Sequence, residues 1–308
     1  MRSIFFAVVS LLLLFVGEVS GKIRILTFQY NHPDFLEMQI NSLKKYMLND
    51  YELIVFLDAK TPEYIGPFRE ICDQNQIRCV QYQPEWHDTD PLTKYVYDCV
   101  NAPSMVGSYT TYLQSSFESV AGSASIRHCH LIQYALDHYG YNHEDIVVIM
   151  DHDIFPIREL NLREFMGKNQ MIGSCKSLDG IKYMWVPFVA IDMRTIPNKR
   201  DLKFHCDVIN NIFHDTGANS YYYLKNNPKA KVKKFFYYSQ KDGFIPEKTV
   251  NNLGFTGEQR ELITEILHST NAEFHIDFHF LHFSGAWRDD SPSKTQIVKK
   301  FIDNTLLY

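Results

Sequence analysis

Two patterns of apolar and polar positions alternate along this chain. Apolar, β-branched runs at 22–30, 51–57 and 146–150 are typical of strands buried on both faces of a mostly parallel sheet. Between the first two, the segment from Phe35 to Met47 places its apolar residues on one helical face. Strand, helix and strand in close succession predict a parallel βαβ unit and an α/β fold. We see no internal repeat or low-complexity linker, and this predicts a single domain.

The remaining pattern predicts further elements in the same manner. The segment 83–123 has no sustained period and contains three prolines, so we interpret it as a lid or binding-loop excursion. Pro187 is expected to interrupt a strand. Predicted helices span 62–76, 125–139, 162–166, 204–213, 221–226 and 258–267, and an amphipathic helix is expected after Pro292; predicted strands span 78–82, 171–175, 183–191 and 274–283, with an alternating, lysine-rich strand from Lys229 to Lys234.

The amino-acid composition restricts the possible binding partners more than it restricts the possible folds. The 308 residues carry 31 basic and 36 acidic side chains, a net charge of -5, without the dense basic stripe that nucleic-acid binding requires. A nucleic-acid partner is therefore not expected.

The N-terminus resembles a targeting signal. Arg2 precedes an apolar run, Ile4 to Val16, which is too short to span a bilayer, and the small residues up to Gly21 suit cleavage. We predict a signal peptide at 1–21 and a mature domain at 22–308, with an uncleaved anchor as the alternative. No later segment is long enough to span, so no transmembrane span is expected after cleavage.

Six cysteines allow up to three disulfides, and Cys72 and Cys79 are the pair to test first. The chain contains no Asn-x-Ser/Thr sequon.

The candidate chemistry begins where the run 146–150 ends. Asp151 and Asp153 are two residues apart, so both carboxylates leave the same face of an extended backbone, and Pro156 is expected to stop the strand. Two like charges at the end of a buried strand repel unless a cation neutralises them or one takes a proton. Mg²⁺ or Mn²⁺ is the simpler remedy, and such ions keep positions open for phosphate oxygens.

These residues carry a family resemblance. The segment Asp151-His152-Asp153 resembles the Asp-x-Asp motif of nucleotide-sugar-dependent glycosyltransferases of the GT-A fold. The segment 280–287, Phe-Leu-His-Phe-Ser-Gly-Ala-Trp, is similar to the His-Phe-x-Gly segment of several such families, and 213–217, Phe-His-Asp-Thr-Gly, is similar to an acceptor-side turn. The chain departs from the pattern after Trp287, where Arg288 follows instead of Lys-Pro-Trp.

The resemblance implies a GT-A-like three-layer fold and roles for particular residues. Such enzymes move a sugar from a donor, a nucleotide-diphosphate sugar, to a hydroxyl of an acceptor. The metal that bridges the donor's diphosphate would be held by Asp151, Asp153 and His282. Asp215 would position or deprotonate the acceptor hydroxyl. The remaining donor contacts would come from Thr27, Tyr30, Asp58, His128 and Arg288. Each of three residues also has a purely structural interpretation: a helix cap for Asp58, a surface histidine for His128 and an Asx-turn residue for Asp215.

Other functions stay open at this level. If 274–283 were helical, His275, His279 and His282 would align for zinc, whereas in a strand His282 would face away from the other two. A metal-dependent hydrolase or nucleotidyltransferase, and a catalytically silent carbohydrate-binding protein, are the alternatives to a nucleotide-sugar-dependent, hexosyltransferase-type enzyme. The resemblance also implies the endoplasmic reticulum or Golgi lumen, or export to the cell envelope; donor sugar and glycan, lipid or protein acceptor stay undetermined.

Overall fold

The computed structural model describes residues 21–58, 62–81, 124–210, 212–235, 237–239, 255–269, 272–275, 277–283, 296 and 299–303. The predicted signal peptide, except Gly21, the excursion 83–123 and Arg288 lie outside these residues. In chain order the strands are β1 Ile23–Gln29, β2 Tyr51–Leu57, β3 Arg78–Gln81, β4 Ile146–Asp151, β5 Ile154–Pro156, β6 Met171–Leu178, β7 Ile181–Asp192, β8 Asp207–Ile209, β9 Ile212–His214, β10 Val232–Phe235, β11 Tyr238–Ser239, β12 Ala272–His275 and β13 Phe280–Phe283.

Within the described residues, the largest sheet has seven strands in the order β10-β6-β7-β4-β1-β2-β3. Strand β7 runs antiparallel to both of its neighbours, and every other adjacent pair is parallel. The predicted α/β class, mostly parallel sheet and single domain are therefore confirmed. The central strands are buried on both faces, which explains why they are continuous apolar runs rather than alternating ones.

The helices follow the apolar periodicity of the sequence. They are α1 Pro33–Tyr46, α2 Pro62–Gln74, α3 Ala124–Ala135 with a π-helical turn Leu136–Gly140, α4 Leu162–Met166, α5 Ser220–Asn226 and α6 Gly257–Ser269. Helix α1 begins with Pro33, whose missing amide hydrogen costs nothing at this position. Its buried face, including Leu36, Ile40 and Leu43, packs in one core cluster with residues of β1, β2 and β4. Within the described residues, no helix combines the length and the apolar character that a membrane crossing requires.

A second, four-stranded antiparallel sheet, in the order β11-β12-β13-β5, adjoins the end of β4. Strand β5 begins only two residues after β4 ends, so one short turn connects the two sheets. The prediction that Pro156 stops the first strand is wrong. The turn at His152 and Asp153 ends β4, and Pro156 is the last residue of the next strand.

Three other predicted elements differ from the structure. Segment 204–213 is not helical but contributes to the β8–β9 hairpin. Pro187 does not interrupt β7, because the register of β6 against β7 shifts between Gly173 and Ser174 and the proline lies at this irregularity, where a missing donor is tolerated. The single strand predicted over 274–283 is a hairpin of β12 and β13.

The cysteine pair singled out in the sequence is close in space. Cys72 lies in α2 and Cys79 in β3, and the two side chains hydrogen-bond to each other as thiols. This bond, burial and the charge of the neighbouring thiol raise the pKa of Cys72.

Candidate metal centre

The candidate centre is built on the turn between β4 and β5. Gln39 of α1, which is fully buried, holds this turn by donating from Nε2 to the carbonyl oxygens of Asp151 at 2.8 Å and Ile154 at 3.0 Å. Its Oε1 accepts from the hydroxyl of Thr27 at 2.7 Å and the side-chain amide of Gln29 at 3.1 Å. A buried backbone carbonyl without a partner is unfavourable, so Gln39 fixes both ends of the Asp-His-Asp segment.

Strand pairing brings His282 to the same place. In the register of β13 against β5, His282 is opposite Ile154, and the Phe283 amide donates to the Asp153 carbonyl oxygen at 2.8 Å. The Nε2 atom of His282 lies 3.3 Å from Oδ1 of Asp153. The resemblance assigned Asp151, Asp153 and His282 to one metal, and the structure brings these three side chains together, since one ligand atom from each lies within 4.8 Å of the others.

The donor set fits a divalent cation. Oδ1 of Asp153 is buried, and among the described residues its neighbour is Nε2 of His282 at 3.3 Å, which does not form a well-aligned hydrogen bond with it. Two carboxylates within 4.8 Å of each other repel by about 3 kcal/mol at an effective dielectric constant of about 20, and a cation reverses the sign of this interaction. Two carboxylate oxygens and one imidazole nitrogen suit Mn²⁺, and the oxygens suit Mg²⁺. The Asp151 side chain is 17% exposed and Asp153 only 4%, so the open side of the centre is at Asp151.

The metal-free charges are balanced by histidines. Burial acts to lower the pKa of His282, but the carboxylates of Asp153 and Glu273 outweigh it and raise this pKa to about 10. Burial acts in the opposite sense on Asp153, yet the charges of His152 and His282 lower its pKa to about 2. A bound cation would take the place of the proton on His282. His152 itself lies against the rings of His32 and Phe35, and burial lowers its pKa.

Glu273 and Ser174, which lie behind His282, were not found from the sequence. Glu273 is opposite His282 in the β12–β13 register, and its Oε2 lies 2.9 Å from Nδ1 of His282 and 3.2 Å from Nε2 of His275. The other ring nitrogen of His275 lies 2.7 Å from the hydroxyl of Ser174. The prediction that His275 and His282 lie on opposite faces of one strand is wrong, because the hairpin places their rings 5.1 Å apart. The i, i+2 spacing of Glu273 and His275 was the signal available.

His128 and Asp58 occupy the side of the centre near α3. Nε2 of His128 lies 2.8 Å from Oδ1 of Asp151, and the Asp151 charge raises the pKa of His128 to about 9 against the effect of burial. Asp58 forms an ion pair with Arg127, which precedes His128 on α3. Both predicted donor-binding residues thus adjoin the end of the central strands, where open α/β sheets place their ligands. Their contacts with a donor stay predictions.

Thr27 does not have the predicted role. It was expected to line the donor pocket, but its side chain has no exposed surface and its hydroxyl is bonded to Gln39. Thr27 therefore supports the turn between β4 and β5 from inside the core. Tyr30, one residue after β1, is partly exposed, and its role in the pocket stays a prediction.

Asp215 is linked to His282 through two other side chains, Lys176 and Trp185. Its carboxylate, one third exposed, is 3.4 Å from Nζ of Lys176. This ammonium group lies 3.8 Å above the Trp185 ring, and Trp185 packs edge-on against His282 with ring centroids 5.5 Å apart. Asp215 is thus connected to the metal side through a cation and an aromatic ring. It also accepts from the Thr216 amide at 2.7 Å, whereas the Gly217 amide, the partner an Asx-turn would use, donates to the Phe204 carbonyl oxygen.

A cleft of about 830 Å³ lies elsewhere, at the amino ends of β1, β2 and β3, and is lined by residues that include Arg24, Tyr51 and Arg78. Because Asp151 is the carboxyl-terminal residue of β4, which is parallel to β1, this cleft is at the opposite edge of the sheet. It takes no part in the candidate centre.

No family model matches the chain, and no curated protein matches it. Among solved structures, it is similar to LgtC, a galactosyltransferase in complex with donor and acceptor sugar analogues, at 12% identity over 92% of this chain and 96% of that chain, with a TM-score of 0.40. The mannosyltransferase PcManGT of Pyrobaculum calidifontis, in complex with GDP-Man and Mn²⁺, is 12% identical over 94% of this chain and 74% of that chain, with a TM-score of 0.38. Core-mannan synthase A of Aspergillus fumigatus, in a Mn/GDP form, is 9% identical over 58% of this chain and 61% of that chain, with a TM-score of 0.37.

Two of these proteins are named as enzymes that transfer sugars, the class that the sequence motifs resemble.

Proposed function

We propose that this protein is a metal-dependent glycosyltransferase that moves a sugar from a nucleotide-diphosphate donor to an acceptor hydroxyl. The observation that carries the proposal is the convergence of Asp151, Asp153 and His282 at the carboxyl edge of the sheet, where Oδ1 of Asp153 is buried and lies 3.3 Å from Nε2 of His282. Such a centre leaves room for phosphate oxygens on its open side, at Asp151.

In this proposal the two aspartates and His282 hold Mn²⁺ or Mg²⁺, which neutralises the charge that develops on the departing diphosphate. His128 orients Asp151 through its 2.8 Å contact and thereby holds one carboxylate oxygen in place. Asp58 is fixed by Arg127 and faces the base or the ribose of the donor. Arg288, outside the described residues, is assigned to the diphosphate because its planar fork suits phosphate oxygens.

The acceptor is assigned to the side of Asp215. A partly exposed carboxylate can accept a proton from a hydroxyl within hydrogen-bond reach. Lys176 holds this carboxylate at one oxygen and also lies over the ring of Trp185, which packs against His282. Asp215 is therefore proposed as the group that positions or deprotonates the acceptor.

The test is a screen of nucleotide-diphosphate sugars with Mn²⁺, with and without acceptor sugars, in which release of nucleoside diphosphate is measured. We expect one donor to be turned over faster with an acceptor and turnover to be lost in Asp153→Asn. Acceptor-independent hydrolysis with no transferred product would favour a hydrolase instead. Failure of nucleoside diphosphates to bind in the presence of Mn²⁺ would contradict the transferase proposal.

For the location, we propose the lumen of the secretory pathway or the cell envelope, on the basis of the N-terminal apolar run. Sequencing the N-terminus of the mature protein tests this proposal, and we expect it to begin at Lys22. A mature chain that retains Met1 would contradict cleavage after Gly21.

A further inference from the structure

Glu273 is a largely buried carboxylate that the proposed reaction does not use. Its side chain is 12% exposed and lies on β12, directly opposite His282. Its Oε2 atom contacts two histidines, at 2.9 Å and 3.2 Å, while the nearest carboxylate of the proposed metal set contacts His282 through the other ring nitrogen. Glu273 is thus placed behind His282 as seen from the metal.

The hydrogen positions around Glu273 follow from the donors and acceptors present. An ionised carboxylate only accepts, so Nδ1 of His282 and Nε2 of His275 must both donate to Oε2. In neutral His275 the remaining nitrogen is then an acceptor, and the hydroxyl of Ser174 at 2.7 Å is the matching donor. In neutral His282 the remaining nitrogen is Nε2, and its lone pair faces Asp153.

We propose that Glu273 is a positioning residue that fixes the tautomer and the ring orientation of His282, so that the Nε2 lone pair is presented to the metal. This inference rests on the proposed metal site. A carboxylate behind a ligating imidazole also raises the basicity of the ligand nitrogen, and loss of such a partner weakens metal binding by roughly 10-fold to 100-fold. His275 and Ser174 hold Glu273 in place and complete the network.

The same atoms have a second arrangement to be distinguished. Glu273, His275 and His282 also form a group that could hold a metal ion. However, if one ion binds Nε2 of His282, Nδ1 of the neutral ring carries the hydrogen and has no lone pair for a second ion. One ion per chain follows from the positioning role, whereas a metal at Glu273 would add a second.

The test compares Mn²⁺ binding to the full-length purified protein and to Glu273→Gln and Glu273→Ala by isothermal titration calorimetry. Glu261→Gln, an exposed position on α6, is the matched control. We expect one ion per wild-type chain, an affinity lowered roughly 10-fold in Glu273→Gln and up to 100-fold in Glu273→Ala, and no change in the control. Unfolding by urea separates these effects from loss of the fold, and Glu273→Gln keeps the test decisive if the alanine variant does not fold.

A second measurement responds to the hydrogen bond behind His282 rather than to stability. With Mg²⁺ as a diamagnetic ion, the ¹H and ¹⁵N shifts of the His282 Nδ1–H group should show a hydrogen bond to a carboxylate in the wild type and its loss in Glu273→Ala. Unchanged Mn²⁺ affinity in both Glu273 variants, or the same Nδ1–H shifts in all proteins, overturns the role of Glu273 alone. Two ions per chain overturn it in favour of a second metal site, and a wild type that binds no Mn²⁺ overturns the metal site together with it.

Discussion

Gln39 offers a direct test of how the core holds the candidate centre. Replacing it by methionine keeps the volume but removes its four hydrogen bonds, to the carbonyls of Asp151 and Ile154 and from Thr27 and Gln29. Each bond contributes about 1 kcal/mol net, so the four together contribute about 4 kcal/mol. Since Gln29 keeps its 2.8 Å bond to Thr27, the main loss is at the two carbonyls of the metal turn.

The assay is equilibrium unfolding in urea, followed by circular dichroism and tryptophan fluorescence. We expect Gln39→Met to lower the free energy of unfolding by about 4 kcal/mol, a large part of the roughly 5–15 kcal/mol of a typical domain. We also expect weaker Mn²⁺ binding, because the turn is no longer held at both ends. The matched control is Gln74→Met, an exposed helical position whose change should stay within about 0.5 kcal/mol. If Gln39→Met unfolds within about 1 kcal/mol of the wild type, Gln39 does not hold the turn in the way argued.

Three further predictions concern other parts of the fold. Gly217 has a φ of 96°, and a Cβ there would overlap the carbonyl oxygen of Met184. Gly217→Ala should therefore destabilise the protein by about 3 kcal/mol in thermal or urea unfolding. The control is Gly257→Ala, which should be neutral or stabilising because no atom lies near the added Cβ. Burial acts to raise the pKa of Asp145, but hydrogen bonds from Arg163 and the Ile146 amide outweigh it, so the pKa in the folded protein is lowered. The ionised Asp145 therefore adds its full contribution to the free energy of unfolding above the ordinary carboxyl pKa of about 3.9. This contribution is lost as the pH falls through the lowered pKa of the folded protein. Asp145→Asn should therefore cost about 2 kcal/mol at neutral pH and progressively less in acid, and a constant difference across the pH range would contradict this reasoning. Finally, oxidised glutathione should join Cys72 to Cys79, detected as a linked peptide by mass spectrometry, because their thiols already touch; a mixture dominated by links to Cys175 would contradict the arrangement.

The elements predicted correctly are those whose local pattern and tertiary environment agree. Strand β4 is apolar throughout because both of its faces are buried, and α1 shows a clear apolar face because only one side packs on the sheet. The Asp-His-Asp motif was found for the same reason, since charge directly after a buried strand is unusual. These features are encoded within a few residues of one another.

The elements predicted incorrectly depend on distant contacts or unusual turns. The β12–β13 hairpin turns at Asp277 and Phe278, both with positive φ, and Phe278 stands where the glycine of an Asp-Gly turn is expected. Burial of Phe278 and its stacking on Phe274, with ring centroids 5.2 Å apart, accompany this strained conformation. Without that glycine the segment reads as one strand, and so the pairing of Glu273 with His282 was not predicted.

Thr27 and the segment 204–213 show the same limit from other directions. A threonine at the end of a strand reads as a pocket residue, and only the position of Gln39 on a neighbouring helix shows that its hydroxyl is consumed inside the core. The apolar spacing of 204–213 suits a helix, but pairing between β8 and β9 overrides the local preference.

In the proposed site, Asp151, Asp153 and His282 hold one divalent ion that faces a nucleotide diphosphate. Anomalous scattering of Mn²⁺ in crystals grown with Mn²⁺ and a nucleoside diphosphate measures this arrangement directly. We expect a single strong peak between the three ligand atoms, with diphosphate oxygens on its open side at Asp151. A peak at Glu273 and His275, or diphosphate bound with no ion at the two aspartates, would contradict it.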